Sequence, residues 1–458
     1  MRLSTPYLPL LYRWTTARFV QAQQGATCSE LEPCLEGCCS KFGSCGFGDD
    51  FCGDDCVNNC DVKAQCGENE NLTSCPFGVW CSEFGFCGDG CQSGCDVVVS
   101  PSCTSTGDSS SLERVIAYYE LFQFSRPCDT MQPESIPAGA LTHINLAFYG
   151  DIVSRVSRLK TTYAGLRVNV VIGGWNFNDP PTSTYFSTMA GSYEHRQTFI
   201  KSLVSYLQNM AWTVSKLVYW EYPSATNCGG SPDDTDNFVT LLSEMRDDFH
   251  TVNPGWEITC TLPSSYWYMQ NFNLKSMQKY ISFFNMMSYD LHGMWDQGNK
   301  FTGSYLRGHT NLTEIDQAFD LLWRNDIDTK NVVMGMGFYG RSFTMSDKDC
   351  WTADCEFSIV GGAGTCSQTA GILYYSEIKS TNSSSDVRTY YDPVSTVKYN
   401  VYNGNRWISY DDAQSWQDNM RYLTGKCISG VMIWALDQDD GCTVLLPLFS
   451  ATRPCPAY

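Results

Sequence analysis

Eight short apolar runs, spaced at helix-sized intervals through the larger C-terminal part of the chain, restrict its fold more than any other feature. They cover 115–119, 143–148, 168–172, 216–219, 257–262, 283–289, 332–337 and 431–436. Runs that are apolar on successive residues suit strands covered on both faces, as in parallel sheets beneath helices. Eight of them, mostly separated by amphipathic stretches, predict an α/β fold: a (β/α)8 TIM barrel. Only one short helix fits between 148 and 168. The interval from 341 to about 426 is far too long for one helix. It contains strand-like 397–402 and 407–410 with Cys350, Cys355 and Cys366, and predicts a small α+β insertion between strands seven and eight.

A different logic governs the N-terminal part. Fifteen of the 24 cysteines lie between Cys28 and Cys103. Such density predicts disulfide scaffolds formed in an oxidising compartment, hence a secreted, extracellular protein. Segment 28–60 holds Cys28, Cys34, Cys38, Cys39, Cys45, Cys52, Cys56 and Cys60 with too little apolar material for a core, so cross-links must supply the order. Segment 61–96 repeats the theme with six cysteines, 97–113 has a polar linker composition, and 114–458 forms the barrel domain. Residues 1–27 read as a weak signal-like leader, its apolar stretch 8–11 cut off by Arg13 and Arg18. Sequons at Asn71, Asn311 and Asn382 are compatible with export.

A formal net charge of −19 argues against nucleic acid and anionic membranes as partners, and no apolar run is long enough to span a bilayer. An uncharged polysaccharide is not excluded. His143, His195, His292 and His309 show no metal-ligand spacing, so neither metal nor cofactor is expected, and a monomer is.

The spacing Cys38-Cys39-x5-Cys45-x6-Cys52 resembles the hevein-like chitin-binding domain. The resemblance implies N-acetylglucosamine contacts from Ser40, Phe42 and Phe51, with Ser44 where a further aromatic is usual. An aromatic face suits a pyranose ring, whose axial C–H groups stack on it while the hydroxyls stay wet. The second module departs further. Trp80 replaces the first cysteine of the pair and a segment is missing between Gly88 and Cys91, but Ser82, Phe84 and Phe86 keep stacking positions.

Markers on several strands of the larger domain resemble the fungal secreted chitinases of glycoside hydrolase family 18. They are Ile172-Gly173-Gly174-Trp175 on strand three, Trp220-Glu221-Tyr222-Pro223 on strand four and Met287-Ser288-Tyr289-Asp290 on strand six. Phe338-Tyr339-Gly340-Arg341 on strand seven and Trp434 with Asp437-Gln438-Asp439 on strand eight complete the set. The resemblance implies hydrolysis of β-1,4 links between N-acetylglucosamine units by a substrate-assisted retaining mechanism. Glu221 would be the general acid/base and Tyr289 would orient the substrate acetamide, whose oxygen attacks the anomeric carbon. Trp434, Asp290, Arg341, Tyr119 and Trp175 would contact the sugar.

The fourth-strand signature of that family reads Asp-x-x-Asp-x-Asp-x-Glu. Here its aspartate positions carry Val214, Leu217 and Tyr219, and Glu221 alone survives. A phenol titrates near 10 and offers no charge to an oxazolinium ion. Impaired turnover is therefore expected, with two alternatives beside a working chitinase. One is a chitin-binding lectin that has lost catalysis. The other is a sequence damaged by a frameshift or misplaced splice boundary: the codons of Trp212 and Thr213, read one base early, spell Asp, and the family's lead-in follows until Lys216.

Overall fold

The structure, a computed structural model, describes residues 28–30, 34, 37–46, 49–53, 55–60, 66, 75–81, 87–88, 98–103, 112–147, 152–209, 216–299, 302–383 and 385–439. The leader, Val214, and Ser82, Phe84 and Phe86 lie outside the described residues.

Near the N-terminus, β1 (Cys38–Ser40), β2 (Cys45–Gly46) and β3 (Cys56–Asn58) form an antiparallel sheet in the order β2-β1-β3, beside the one-turn helix α1 (Asp49–Cys52). Cross-links Cys28–Cys39, Cys34–Cys45, Cys38–Cys52 and Cys56–Cys60 hold it, and half-cystines make up its buried cluster. Next, β4 (Trp80–Cys81) pairs with β5 (Cys87–Gly88), tied by Cys66–Cys81 and Cys75–Cys87.

The larger body is a closed parallel barrel. Its strands are β6 (Arg114–Glu120), β7 (His143–Ala147), β8 (Arg167–Gly173), β9 (Lys216–Tyr219), β10 (Ile258–Pro263), β11 (Phe283–Met287) and β12 (Val332–Gly337). The eighth, β19 (Gly430–Trp434), closes the barrel against β6. Each strand lies between the barrel interior and the helical layer, so residues of both phases are buried. Ile116, Ala117, Tyr118 and Tyr119 on β6 are all 0% exposed. The main outer helices are α2 (Val153–Thr162), α3 (Tyr185–Ala190), α4 (Tyr193–Asn209), α5 (Asp234–Val252) and α8 (Leu312–Trp323). Between β10 and β11 there are only two single-turn helices, α6 (Tyr266–Met269) and α7 (Leu274–Met277).

Strand β9 positions the motif residues. It pairs Lys216 with Val170 and Tyr219 with Gly173 on one side, and Lys216 with Ile258 and Val218 with Cys260 on the other. A slip of one residue would turn every side chain to the opposite face, so pairing on both edges fixes which way Tyr219 points. Gly173 makes this approach possible. Its φ is +107°, and a Cβ there would sit 2.2 Å from the Tyr219 carbonyl oxygen. The same oxygen accepts the Gly174 N–H at 2.8 Å. The close approach these glycines allow is thus to β9.

The insertion is an antiparallel sheet of β13 (Tyr339–Met345), β14 (Phe357–Val360), β15 (Ile372–Tyr374), β16 (Arg388–Asp392), β17 (Val397–Tyr402) and β18 (Arg406–Tyr410), with α9 (Tyr375–Thr381) between β15 and β16. It ends earlier than the expected 426. Helix α10 (Ala413–Gly425) buries Trp416, Met420 and Leu423 in the barrel core, which makes it an outer helix of the barrel.

The described part of the polar 97–113 segment lies against the barrel. Ser100 Oγ donates to Asp320 on α8 at 3.4 Å, the Cys103 N–H donates to the Gly425 carbonyl at 2.8 Å, and Cys103 is cross-linked to Cys427. Cys128–Cys366 ties the loop after β6 to the insertion. Among the described residues no helix is long and apolar enough to cross a membrane.

Candidate functional site

Glu221, Tyr289, Asp290 and Trp434 stand at the carboxyl ends of β9, β11 and β19, on the face where barrels of this type carry their chemistry. Arg341 reaches the group from β13. Glu221 is 5% exposed. Burial pushes its carboxyl up to about 8, while the Tyr222 hydroxyl opposes the shift and the charges of Asp290 and Asp179 add to it. Glu221 therefore holds its proton at neutral pH, the state a general acid requires.

Asp290 is the opposite case. It adopts a left-handed backbone conformation, φ 59°, which an aspartate tolerates better than most residues. Both its oxygens meet Arg341, Nε to Oδ1 at 2.8 Å and Nη2 to Oδ2 at 2.7 Å, and the Tyr339 hydroxyl donates to Oδ1 at 2.5 Å. Burial works against the charge, but the Arg341 guanidinium prevails and holds this carboxyl well below the usual carboxylate range. The Arg341 guanidinium also lies over the Trp295 ring at 4.9 Å. One neutral and one ionised carboxyl stand on the same face of the barrel, set apart by their surroundings.

Tyr219 is the last residue of β9, two positions before Glu221. It is 5% exposed; its hydroxyl donates to Met287 Sδ at 2.9 Å, and its ring meets Tyr118 at 6.3 Å and Trp434 at 6.2 Å. Burial raises its phenol well above the ordinary value, so it stays neutral. The Tyr289 hydroxyl, also buried, is in contact with Tyr219 and donates to Met432 Sδ at 3.8 Å. Leu217 occupies β9 in register with Thr259 and Val171, and its side chain lies outside the described residues. The described part of the β9 end thus carries a proton donor and a phenol, with no carboxylate beside the acid.

Tyr119 is not part of this cluster. It is 0% exposed and its hydroxyl donates to the Met131 carbonyl at 2.6 Å, because it faces the outer layer. Tyr118, one residue earlier, points inward and packs on Trp434 with ring centroids 5.0 Å apart. Trp175, 41% exposed, stands at the rim after β8.

Two residues that hold the acid were not anticipated from sequence. Asp234 is 0% exposed and its Oδ2 accepts from Ser187 Oγ at 2.6 Å, Ser231 N at 2.7 Å and Ser224 N at 3.1 Å, which fastens the loop that follows Glu221. The spacing Ser231-x-x-Asp234 ahead of a helix is the signal that could have pointed to it. Tyr268 on α6 stacks on Tyr222 with centroids 4.3 Å apart, and no local pattern marks it.

In the first cysteine module Phe42 is 77% exposed, with Lys41 Nζ 5.1 Å from its ring centroid. Phe51 is half-buried and its ring covers Gly46 so closely that a Cβ there would lie 2.6 Å away. Ser40, expected to contact sugar, is 2% exposed, and its Oγ accepts the Ser44 N–H at 3.4 Å within its own turn. The sequence could not show this, because packing of the adjacent half-cystines is what buries it. The side-chain groups close enough to share a metal, among the described residues, consist of disulfide cysteines with Asp129 joining one of them, so they offer no thiolate.

Comparisons with known proteins agree with this architecture. A secreted chitinase of Penicillium expansum, LysM12, is 26% identical over 440 residues, which cover 89% of this chain and 27% of that protein; the chain spans just over a quarter of this relative's length. The group IV chitinase of Ostrinia furnacalis, solved with allosamidin, superposes with a TM-score of 0.64 at 23% identity, over 73% of this chain and 96% of that one. Human YKL-39, described as a pseudo-chitinase with retained chitooligosaccharide binding, gives 0.62 at 24% identity, over 71% and 93%. Residues 114–439 match the sequence family of the glycosyl hydrolases family 18, so the chain belongs to that family.

Proposed function

We propose that this chain is a secreted chitin-binding glycoside hydrolase of low turnover, acting on β-1,4-linked N-acetylglucosamine through Glu221. The observation that carries the reading is the buried Glu221 carboxyl at the end of β9, on the same face of the barrel as the Asp290–Arg341 ion pair. Glu221 donates its proton to the leaving glycosidic oxygen. The substrate's acetamide oxygen attacks the anomeric carbon, and the deprotonated Glu221 then activates water to open the oxazolinium. Tyr289 and Tyr219 offer neutral hydroxyls to the acetamide, Trp434 floors the sugar, and Asp290 and Arg341 bind its hydroxyls. Tyr219 brings no negative charge to the oxazolinium. Losing one preorganised electrostatic partner typically costs about 10²–10³ in turnover. Export is supported by the nine cross-links among the described residues and by a relative named as secreted.

A second reading, sugar binding without hydrolysis, is favoured by Tyr219 itself. The test is purified protein on colloidal chitin, measuring retention and soluble oligosaccharides together. Slow release of oligosaccharides is expected. Retention without any product at high protein concentration would leave only the second reading, and neither retention nor product would overturn both.

A further inference from the structure

The second cysteine module is seated on the barrel at the connection between β10 and β11. The outer layer there consists of two short helices, α6 and α7, of four residues each, where α2 has 10 and α5 has 19. Phe77 and Val79 of the module pack against the barrel core, and Tyr266 on α6 packs in return against the module's half-cystine cluster. The Phe77 and Tyr266 rings meet edge to face at 6.4 Å, the Tyr266 hydroxyl donates to the Pro76 carbonyl at 3.4 Å, and Arg324 Nη1 donates to the Gly78 carbonyl at 2.8 Å.

The same short helix reaches the acid. Tyr268, two residues after Tyr266, stacks on Tyr222 at 4.3 Å and accepts a hydrogen bond from Asn227 Nδ2 at 3.1 Å. Tyr222 follows Glu221 directly in the chain, and both side chains are buried. A continuous set of contacts therefore links Phe77, Tyr266, α6, Tyr268, Tyr222 and Glu221. A helix of one turn has little stability of its own and takes its position from what packs on it.

We propose that the second cysteine module is a fixed part of the catalytic body, and that Phe77 is a positioning residue which holds the Glu221 carboxyl in its buried place through α6. Removing Phe77 frees α6, lets water reach Tyr222 and Glu221, and leaves the far side of the barrel unchanged. The coupling is a property of the folded chain and does not depend on whether the chain turns substrate over.

The experiment uses the full chain carrying Phe77→Ser, with Arg324→Ala as a milder variant and Phe77→Tyr as the conservative one. Hydrogen exchange by mass spectrometry should show about tenfold faster exchange in peptides spanning 221–230 and 264–272 for Phe77→Ser, less for Arg324→Ala, and recovery in Phe77→Tyr. Peptides from β6 and β7 should not change. The protonated-carboxyl infrared band that Glu221→Gln removes should persist to about pH 8 in the parent chain and titrate lower in Phe77→Ser, since burial is the main cause of its shift. Faster exchange confined to 66–103, or spread evenly over the barrel, would overturn the proposal, as would an unmoved infrared midpoint.

Discussion

The carboxyl ends of β9 and β11 lie on the same face of the barrel and treat charge in opposite ways. At β11, Asp290 is ionised because Arg341 and the Tyr339 hydroxyl meet it directly. At β9, Glu221 is neutral because burial outweighs the opposing influence of the Tyr222 hydroxyl. The first arrangement is complete in itself. The second suits an acid, but the anion that should stabilise the developing positive charge is missing, since Tyr219 is a buried neutral phenol. On the proposed reading, binding groups and proton donor survive in a fold that has lost the charge on which turnover depends.

The largest effect expected on this contrast comes from the acid. Glu221→Gln preserves shape and removes the proton donor, so product release from colloidal chitin should fall by about 10²–10⁴ while retention on the polymer is unchanged. Equal loss of both would mean that Glu221 acts in binding. The paired side is probed by Arg341→Lys, which keeps the charge but not the two-pronged contact with Asp290. Chitooligosaccharide affinity should weaken by about tenfold in titration calorimetry, in line with about 1.5 kcal/mol for a hydrogen bond to a charged group. An unchanged affinity would remove Asp290 and Arg341 from the binding surface.

A further effect is a slope. Glu221 has a folded value of about 8 against an ordinary 4.5, so the folded state binds more protons than the unfolded one across that interval. Stability should therefore decline as pH rises from about 4.5 to 8, and this part of the decline should disappear in Glu221→Gln. Thermal unfolding of both proteins over that range decides the matter, and parallel curves would contradict the buried, protonated assignment.

Much of the barrel was legible in the sequence because its strands are apolar on both faces; 216–219 and 332–337 coincide with β9 and β12 residue for residue. The same property hid the phase of each strand. With Tyr118 and Tyr119 both fully buried, nothing local says which one faces the interior, and Tyr119 was expected where Tyr118 stands. The motif residues Glu221, Tyr289, Asp290, Arg341 and Trp434 were named in advance, and the structure brings them to one face. Asp234 and Tyr268 were not, because each acts through neighbours that the chain brings close only on folding. Seating of the second module on α6 was hidden for the same reason, since a cysteine spacing encodes cross-links and not the surface they rest against.

The central claim is that one side chain, Tyr219, separates an intact binding cleft with a competent acid from efficient hydrolysis. Tyr219→Asp tests it directly, by the rate of oligosaccharide release from colloidal chitin under conditions where retention is matched to the parent. The rate should rise by about 10²-fold, within the usual range for a preorganised electrostatic partner, and the gain should vanish in Tyr219→Asp combined with Glu221→Gln. A folded Tyr219→Asp protein with unchanged release would contradict the account and place the defect elsewhere in β9, where Leu217 stands.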